Sequence, residues 1–306
     1  MNKTTKNQRP SILAAIGNTP MVKLDFPAEV SIYAKLEHLN PGGSIKDRSA
    51  LYMIEHAEQQ GLLKPGYTII EGSSGNQGIA VAMIGAIKGY KVIITVPERT
   101  SSEKVSTLKA YGAEVLVCKE HDSDQGYTEV AKKLHRENPQ SFMLNQYYNT
   151  LNIEAHYKST GPEIWEQTEG KLTHIILALG SCGTAMGVSR YLKEKNSAIK
   201  VIGVDAATSM LSSPNPTPYQ AEGIGVDSLD GLFDKRYVDE VIGVYDDDIF
   251  EMTRRLAREH GLLVGISSGA VMQAALSYAK KLTQDDYLVV IFADSGRAYL
   301  QKVFGV

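Results

Sequence analysis

The chain has 306 residues, 43% hydrophobic and 22% charged, which is long enough for two lobes with separate cores and excludes a disordered or low-complexity protein. Its 32 basic and 35 acidic residues leave a formal charge of −3, so neither a basic stripe for nucleic acid nor a polybasic segment for a membrane surface is expected. Two cysteines, Cys118 and Cys182, without a CxxC pair or regular histidine spacing, give no disulfide framework and no metal site and point to a reducing compartment.

Residues 1–10 are polar with three basic side chains, and the apolar stretch at 12–16 that follows is too short for a signal-peptide core. The apolar region at 79–96 is interrupted by Lys88 and Lys91 and cannot span a bilayer, so a cytoplasmic location is expected. Strand patterns at 31–36, 68–70, 91–96, 114–117, 173–179, 200–204, 238–244 and 287–292 alternate with helical patterns at 47–60, 76–88, 102–111, 125–137, 184–195, 247–260 and 269–281. This alternation predicts an α/β fold of two lobes, each a mostly parallel twisted sheet with helices on both faces. The polar segment 147–171 separates the halves, giving an N-terminal lobe at 1–147 and a C-terminal lobe at 148–306; part of 1–36 is expected to pack on the other lobe. Within that divide, 153–169 also reads as helical. Residues 208–230, rich in Pro, Ser and Gly, form the longest irregular stretch, a length that marks a functional or disordered loop.

Four turns carry chemistry. Asn-Pro-Gly-Gly-Ser-Ile-Lys-Asp-Arg at 40–48 runs from a strand into a helix and sets Lys46 at or near the helix N-terminus, where the positive end of the dipole disfavours an ammonium. A lysine with a lowered pKa can act as a neutral nucleophile and form a Schiff base with an aldehyde; a turn lysine on its own is more often a solvated charge. Ser73-Ser-Gly-Asn-Gln-Gly78 lies between a strand and a helix, and its backbone N–H groups suit a substrate carboxylate, with a serine cap as the plain alternative. Gly180-Ser-Cys-Gly-Thr184 repeats that geometry in the second half; its glycines allow close approach to a phosphate, although no P-loop lysine and no GxGxxG accompany them. Gly265-Ile-Ser-Ser-Gly269 is another such turn, and Asp294-Ser-Gly296 follows the last strand, at the end where open α/β sheets gather ligands.

Taken together and in this order, from Ile-Gly-Asn-Thr-Pro at 16–20 to Asp294, these motifs resemble the fold-type II pyridoxal-phosphate enzymes, in the branch containing cysteine synthase (O-acetylserine sulfhydrylase) and cystathionine β-synthase. The resemblance implies pyridoxal 5'-phosphate as cofactor, joined to Lys46. It implies Asn76 at the cofactor's phenolate oxygen, Gly180, Ser181, Cys182, Gly183 and Thr184 at its phosphate, and Ser267 at its pyridine nitrogen. Ser73, Ser74, Gly75, Gln77 and Gln146 are implied to hold the substrate carboxylate. The reaction implied is β-replacement on O-acetylserine or O-phosphoserine with sulfide, Lys46 also serving as the base for the α-proton. Alternatives are an amino-acid nucleophile, release of sulfide from cysteine, or a binding module that has lost the chemistry. A homodimer and a serine acetyltransferase are the implied partners. The chain, stopping at Val306, is expected to lack the haem-binding extension and regulatory C-terminal domain of full cystathionine β-synthase. Two departures bear on substrate: the family usually has Thr where Gln77 stands and Gly where Cys182 stands. Gln77 either reaches a larger substrate group or points into solvent from the first helical turn. Gln146-Tyr147, His156-Tyr157 and the 221–227 segment look more like cystathionine β-synthase and the phosphoserine-using siderophore-precursor synthases.

Overall fold

The computed structural model describes residues 11–119, 126–226 and 228–306; the first ten residues, the predicted helix start at 125 and the last position of the 221–227 segment lie outside the described residues. One sheet contains β3 (Thr68–Gly72), β4 (Lys91–Pro97), β5 (Glu114–Cys118) and β6 (Ser141–Met143), all parallel, in the order β5-β4-β3-β6. The other contains β1 (Met21–Leu24), β2 (Ser31–Leu36), β7 (His174–Ala178), β8 (Lys200–Ala206), β9 (Glu240–Val244) and β10 (Tyr287–Phe292), in the order β1-β2-β10-β7-β8-β9. Only β1 is antiparallel, against β2. β2 pairs in parallel with β10 from Ser31 opposite Tyr287 to Leu36 opposite Phe292, so residues 21–36 belong to the sheet of the C-terminal half.

Parallel strands need crossover helices. These are α1 (Lys46–Gln59), α2 (Asn76–Lys88), α3 (Ser102–Ala110) and α4 (Tyr127–Glu137) in the first half, and α5 (Leu151–Lys158), α6 (Thr160–Gln167), α7 (Gly183–Lys195), α8 (Asp246–His260) and α9 (Ile266–Ala279) in the second. β3 is buried along its whole length between them, as a central parallel strand must be. The helix expected at 153–169 is two: Ser159 leaves the helical region at φ −127°, and α6 begins just before Pro162, which lacks an N–H and fits only a first turn. α9 begins at Ile266 and not at 269, which puts Ser267 inside its first turn. Among the described residues, no helix is long and apolar enough to cross a membrane.

Candidate active site

The turns that follow β2, β3, β7 and β8 line one cleft of about 1010 Å³, at the carboxyl ends of the strands. Lys46, Ser73, Ser74, Gly75, Asn76, Gln77, Gln146, Gly180, Ser181 and Cys182 all face it; Gly183, Thr184 and Ser267 do not.

Lys46 is placed by a turn that only glycine can complete. Gly43 has φ +86°, a left-handed conformation costly for any other residue, and Gly42 N–H donates to Asp47 Oδ2 at 2.6 Å. Ile45 N–H donates to Ala293 O at 2.8 Å, pinning the turn to the end of β10. Lys46 is then the first residue of α1, and its Nζ donates to Ser181 Oγ across the cleft at 3.3 Å. The residue keeps part of its surface open to the cleft, yet enough protein surrounds the amine that loss of hydration lowers its pKa; Cys182 and Asp294 oppose that shift.

In the turn after β3, the Ser73 hydroxyl accepts from Gly75 N–H at 3.3 Å and Gly78 N–H at 3.0 Å, so Ser73 shapes the loop, and Ser74 and Gly75 line the cleft. Gln77 is 1% exposed, which removes the solvent-facing alternative. Its Oε1 lies at the 3.5 Å limit from Ser49 Oγ, and its Nε2 has no partner. A buried amide donor without an acceptor is costly, and this one belongs to a residue that lines the cleft. Gln146 is held from β3: Glu71, buried and pushed up to about 7 by its burial, accepts from the backbone of Asn145 at 2.9 Å and of Gln146 at 3.3 Å.

In the turn after β7, Cys182 has φ +63° and its Sγ sits 3.4 Å from Gly180 O; burial pushes the thiol up to about 12, so it is an inert wall of the cleft. Behind the loop, Asn152 Nδ2 donates to Gln146 O at 2.8 Å and approaches Ser181 Oγ at 3.4 Å, joining the two loops, while its Oδ1 has no partner. Thr184 Oγ1 lies 3.2 Å from His156 Nε2, and His156 Nδ1 lies 2.9 Å from Thr160 Oγ1. Burial, aided by Lys46 and Arg48, pushes His156 well below its ordinary range, so its ring is neutral.

Ser267 lies under the cleft floor: a Cβ added to Gly223, which lines the cleft, would sit 3.5 Å from Ser267 Oγ. At the mouth, Lys104 of α3 pairs with Glu222, which also accepts from Lys302 Nζ at 2.7 Å, and the Lys104 amine stands 4.5 Å from the Tyr299 ring centroid. Sequence reasoning gave no role to Lys104, Asn152, Glu222 or Tyr299; the partner of Lys104 and Glu222 is distant in the chain, and Asn152 and Tyr299 bond residues five or six positions away across irregular turns that no periodicity marks.

An amine with a lowered pKa, a glycine-containing turn opposite it and the unpartnered amide donor of Gln77 fit an aldehyde-bearing, phosphorylated cofactor with an amino-acid substrate. The chain belongs to the family described as pyridoxal-phosphate dependent enzyme, matched over residues 12–294, and its two-sheet architecture is fold type II. It is 44% identical over 306 residues to a cystathionine β-synthase of Apis mellifera, covering 96% of this chain and 61% of that protein's length. To the cysteine synthase B of Pseudomonas aeruginosa it is 43% identical, covering 96% and 97% of the two chains. The solved structure of an O-ureido-L-serine synthase superposes with a TM-score of 0.93 at 34% identity, over 97% of this chain and 96% of that one. The protein is thus an enzyme whose cofactor is pyridoxal phosphate.

Proposed function

We propose that this enzyme catalyses β-replacement on an O-activated L-serine, O-acetylserine or O-phosphoserine, with sulfide, giving L-cysteine. The observation that carries the reading is the convergence of the Lys46 amine, the Ser73–Gly78 turn and the Gly180–Cys182 loop on one cleft. Pyridoxal phosphate would supply an aldehyde that captures the substrate amine and a ring that stabilises negative charge at Cα. Lys46 would hold that aldehyde and, once freed by the substrate amine, would be the residue placed to accept the α-proton as the β leaving group departs. Burial lowers the Lys46 pKa, which favours the neutral form that can accept a proton. The Ser74–Asn76 backbone, Gln77 and Gln146 would bind the substrate carboxylate, Asn76 would meet the cofactor's phenolate, and the 180–182 turn would hold its phosphate; Thr184, outside the cleft lining, is held by His156. Residues 1–147, apart from the strands at 21–36 that join the other sheet, and 148–306 act as the two lobes, in a cytoplasmic homodimer.

Relatedness to cystathionine β-synthase favours a second reading, in which an amino-acid thiol replaces sulfide. A product assay separates the two: O-acetylserine, O-phosphoserine, serine and cysteine are each supplied with sulfide, with homocysteine or with neither. Cysteine as the fastest product supports the proposal; cystathionine, or sulfide released from cysteine, as the fastest product replaces it.

Two substitutions probe the site further. Ser267→Asp puts a carboxylate, tolerated at a helix N-terminus, beneath the pyridine nitrogen, and is expected to protonate it, shift the visible spectrum and slow β-elimination by about tenfold or more. Unchanged spectrum and rate would show Ser267 to be only part of the helix start. Gln77→Thr shortens the unpartnered donor and is expected to move the kcat/KM ratio toward O-acetylserine by roughly tenfold, or about 1.4 kcal/mol of differential binding. An unaltered ratio in steady-state assays of both donors would pass the choice to the 208–230 loop.

A further inference from the structure

The segment after β10 touches three of the elements that carry residues assigned to the cofactor: the Lys46 turn, the start of α9 and Asn76. Its backbone pairs on one side with the Lys46 turn, Ile45 N–H to Ala293 O at 2.8 Å and Ser295 N–H to Gly43 O at 3.2 Å, and on the other with the start of α9, Gly265 N–H to Asp294 O at 2.9 Å. The side chain turns to the third element: Asp294 Oδ2 accepts from Asn76 Nδ2 and from the Tyr299 hydroxyl, each at 2.6 Å. Asp294 is 2% exposed, its Oδ1 has no partner, and a Cβ on Gly265 would run into that oxygen.

The primary amide of Asn76 is nearly symmetric in shape and opposite in chemistry at its two ends, one offering two N–H donors and the other lone pairs. An ionised carboxylate only accepts, so it decides which end faces it. With one Asn76 hydrogen given to Asp294, the second remains for the cleft; a flipped amide would turn an oxygen toward the cofactor's phenolate. We infer that Asp294 is a positioning residue, which sets the Asn76 amide so that its remaining N–H meets the cofactor's ring oxygen, with Tyr299 fixing the carboxylate in turn. The inference rests on Asn76 facing the cofactor as proposed above. It survives protonation of Asp294, because the proton would go to the unpartnered Oδ1 and leave Oδ2 with both donors.

Apoprotein of each variant is titrated with pyridoxal phosphate, reading both cofactor affinity and the ratio of the bound cofactor's two tautomer bands. Asn76→Ala is expected to weaken affinity about tenfold and shift the ratio, as the loss of a hydrogen bond to a charged group should. Asp294→Ala is expected to do the same, and the double variant no more than Asn76→Ala alone, because both remove one interaction. Asp294→Asn, whose Oδ1 can take both donors, is expected to restore the wild-type ratio. Should the alanine variant not fold, Asp294→Ser, too short to reach Asn76, takes its place. Effects that multiply in the double variant, or a wild-type ratio with Ala or Ser at 294, overturn the inference. Unchanged affinity and ratio in Asn76→Ala would instead overturn the placement of Asn76, and the inference with it.

Discussion

Lys46→Ala is expected to lower β-replacement turnover by at least about 100-fold, since it removes both the tether and the proton acceptor, and general-base catalysis alone is worth that much. Among the described lysines that line the cleft besides Lys46, Lys104 and Lys302 are committed to Glu222 and Lys132 to Glu129 in ion pairs, so no neighbouring lysine is a ready substitute base. A variant that retained a tenth of wild-type turnover would remove Lys46 from the reaction. The fold is expected to persist, because the amine has a single long hydrogen bond, to Ser181. The pH dependence of the apoprotein gives an independent reading. With the folded-state pKa of Lys46 lowered from 10.5, the unfolded chain binds more protons between the lowered value and 10.5. Stability therefore rises with pH through that window and the penalty is gone above it. Alanine lacks that slope, so in denaturant melts of the two apoproteins its relative advantage should be largest at low pH and fade as the pH approaches 10.5. A constant difference across that range would show that the buried amine carries no such penalty.

Where the signal was local, the sequence was sufficient. Pro41, Gly42 and Gly43 between a strand and a helix place Lys46 at the start of α1, and the small-residue turns at 73–78 and 180–184 follow β3 and β7 for the same reason. β1 and β6, of four and three residues, are too short to show a period. The break between α5 and α6 is a property of Pro162 in its three-dimensional setting, since the apolar pattern runs through it. For Gln77, the side chain lies beneath the packing of α2 on Ser49 of α1, a contact that a helical wheel does not contain. Cys182 carries a side chain in the left-handed region, where its neighbours' turn chemistry points to glycine; the strain, about 1–2 kcal/mol, is held by the surrounding loop.

The motif Ile-Gly-Asn-Thr-Pro at 16–20 served in the sequence only as a family mark, and the structure gives it a physical task. Gly17 N–H donates to Asn40 Oδ1 at 2.9 Å, Asn18 N–H to Glu163 Oε1 at 3.0 Å, and the Thr19 hydroxyl to Glu37 Oε1 at 2.6 Å. All three converge on Arg48, two residues past Lys46. Arg48 grips Glu37 through Nε at 2.7 Å and Nη2 at 2.8 Å, and Glu163 of α6 through Nη1 at 2.6 Å and Nη2 at 2.7 Å. Lys35 of β2 closes the cluster on Glu163 at 2.7 Å. Two buried cations thus balance two carboxylates, and α1 is clamped to both β2 and α6. Such a cluster is weak as a source of stability when complete and costly when broken, because what remains is a buried charge without its partner. Arg48→Ala is therefore expected to destabilise the protein by about 3–5 kcal/mol. Arg48→Lys should recover little of this, since a point charge cannot make two paired contacts to two carboxylates. Glu163 supplies the pH signature. Held down to about 2 by Arg48 and Lys35 against its burial, it contributes stability that is complete above its ordinary 4.5 and lost as pH falls from 4.5 through 2. The alanine variant should lose part of that acid dependence together with its stability. Urea melts of wild type and both variants between neutral pH and pH 3 measure the two effects at once, and a lysine variant as stable as wild type would show that charge alone, without the paired geometry, holds α1 in place.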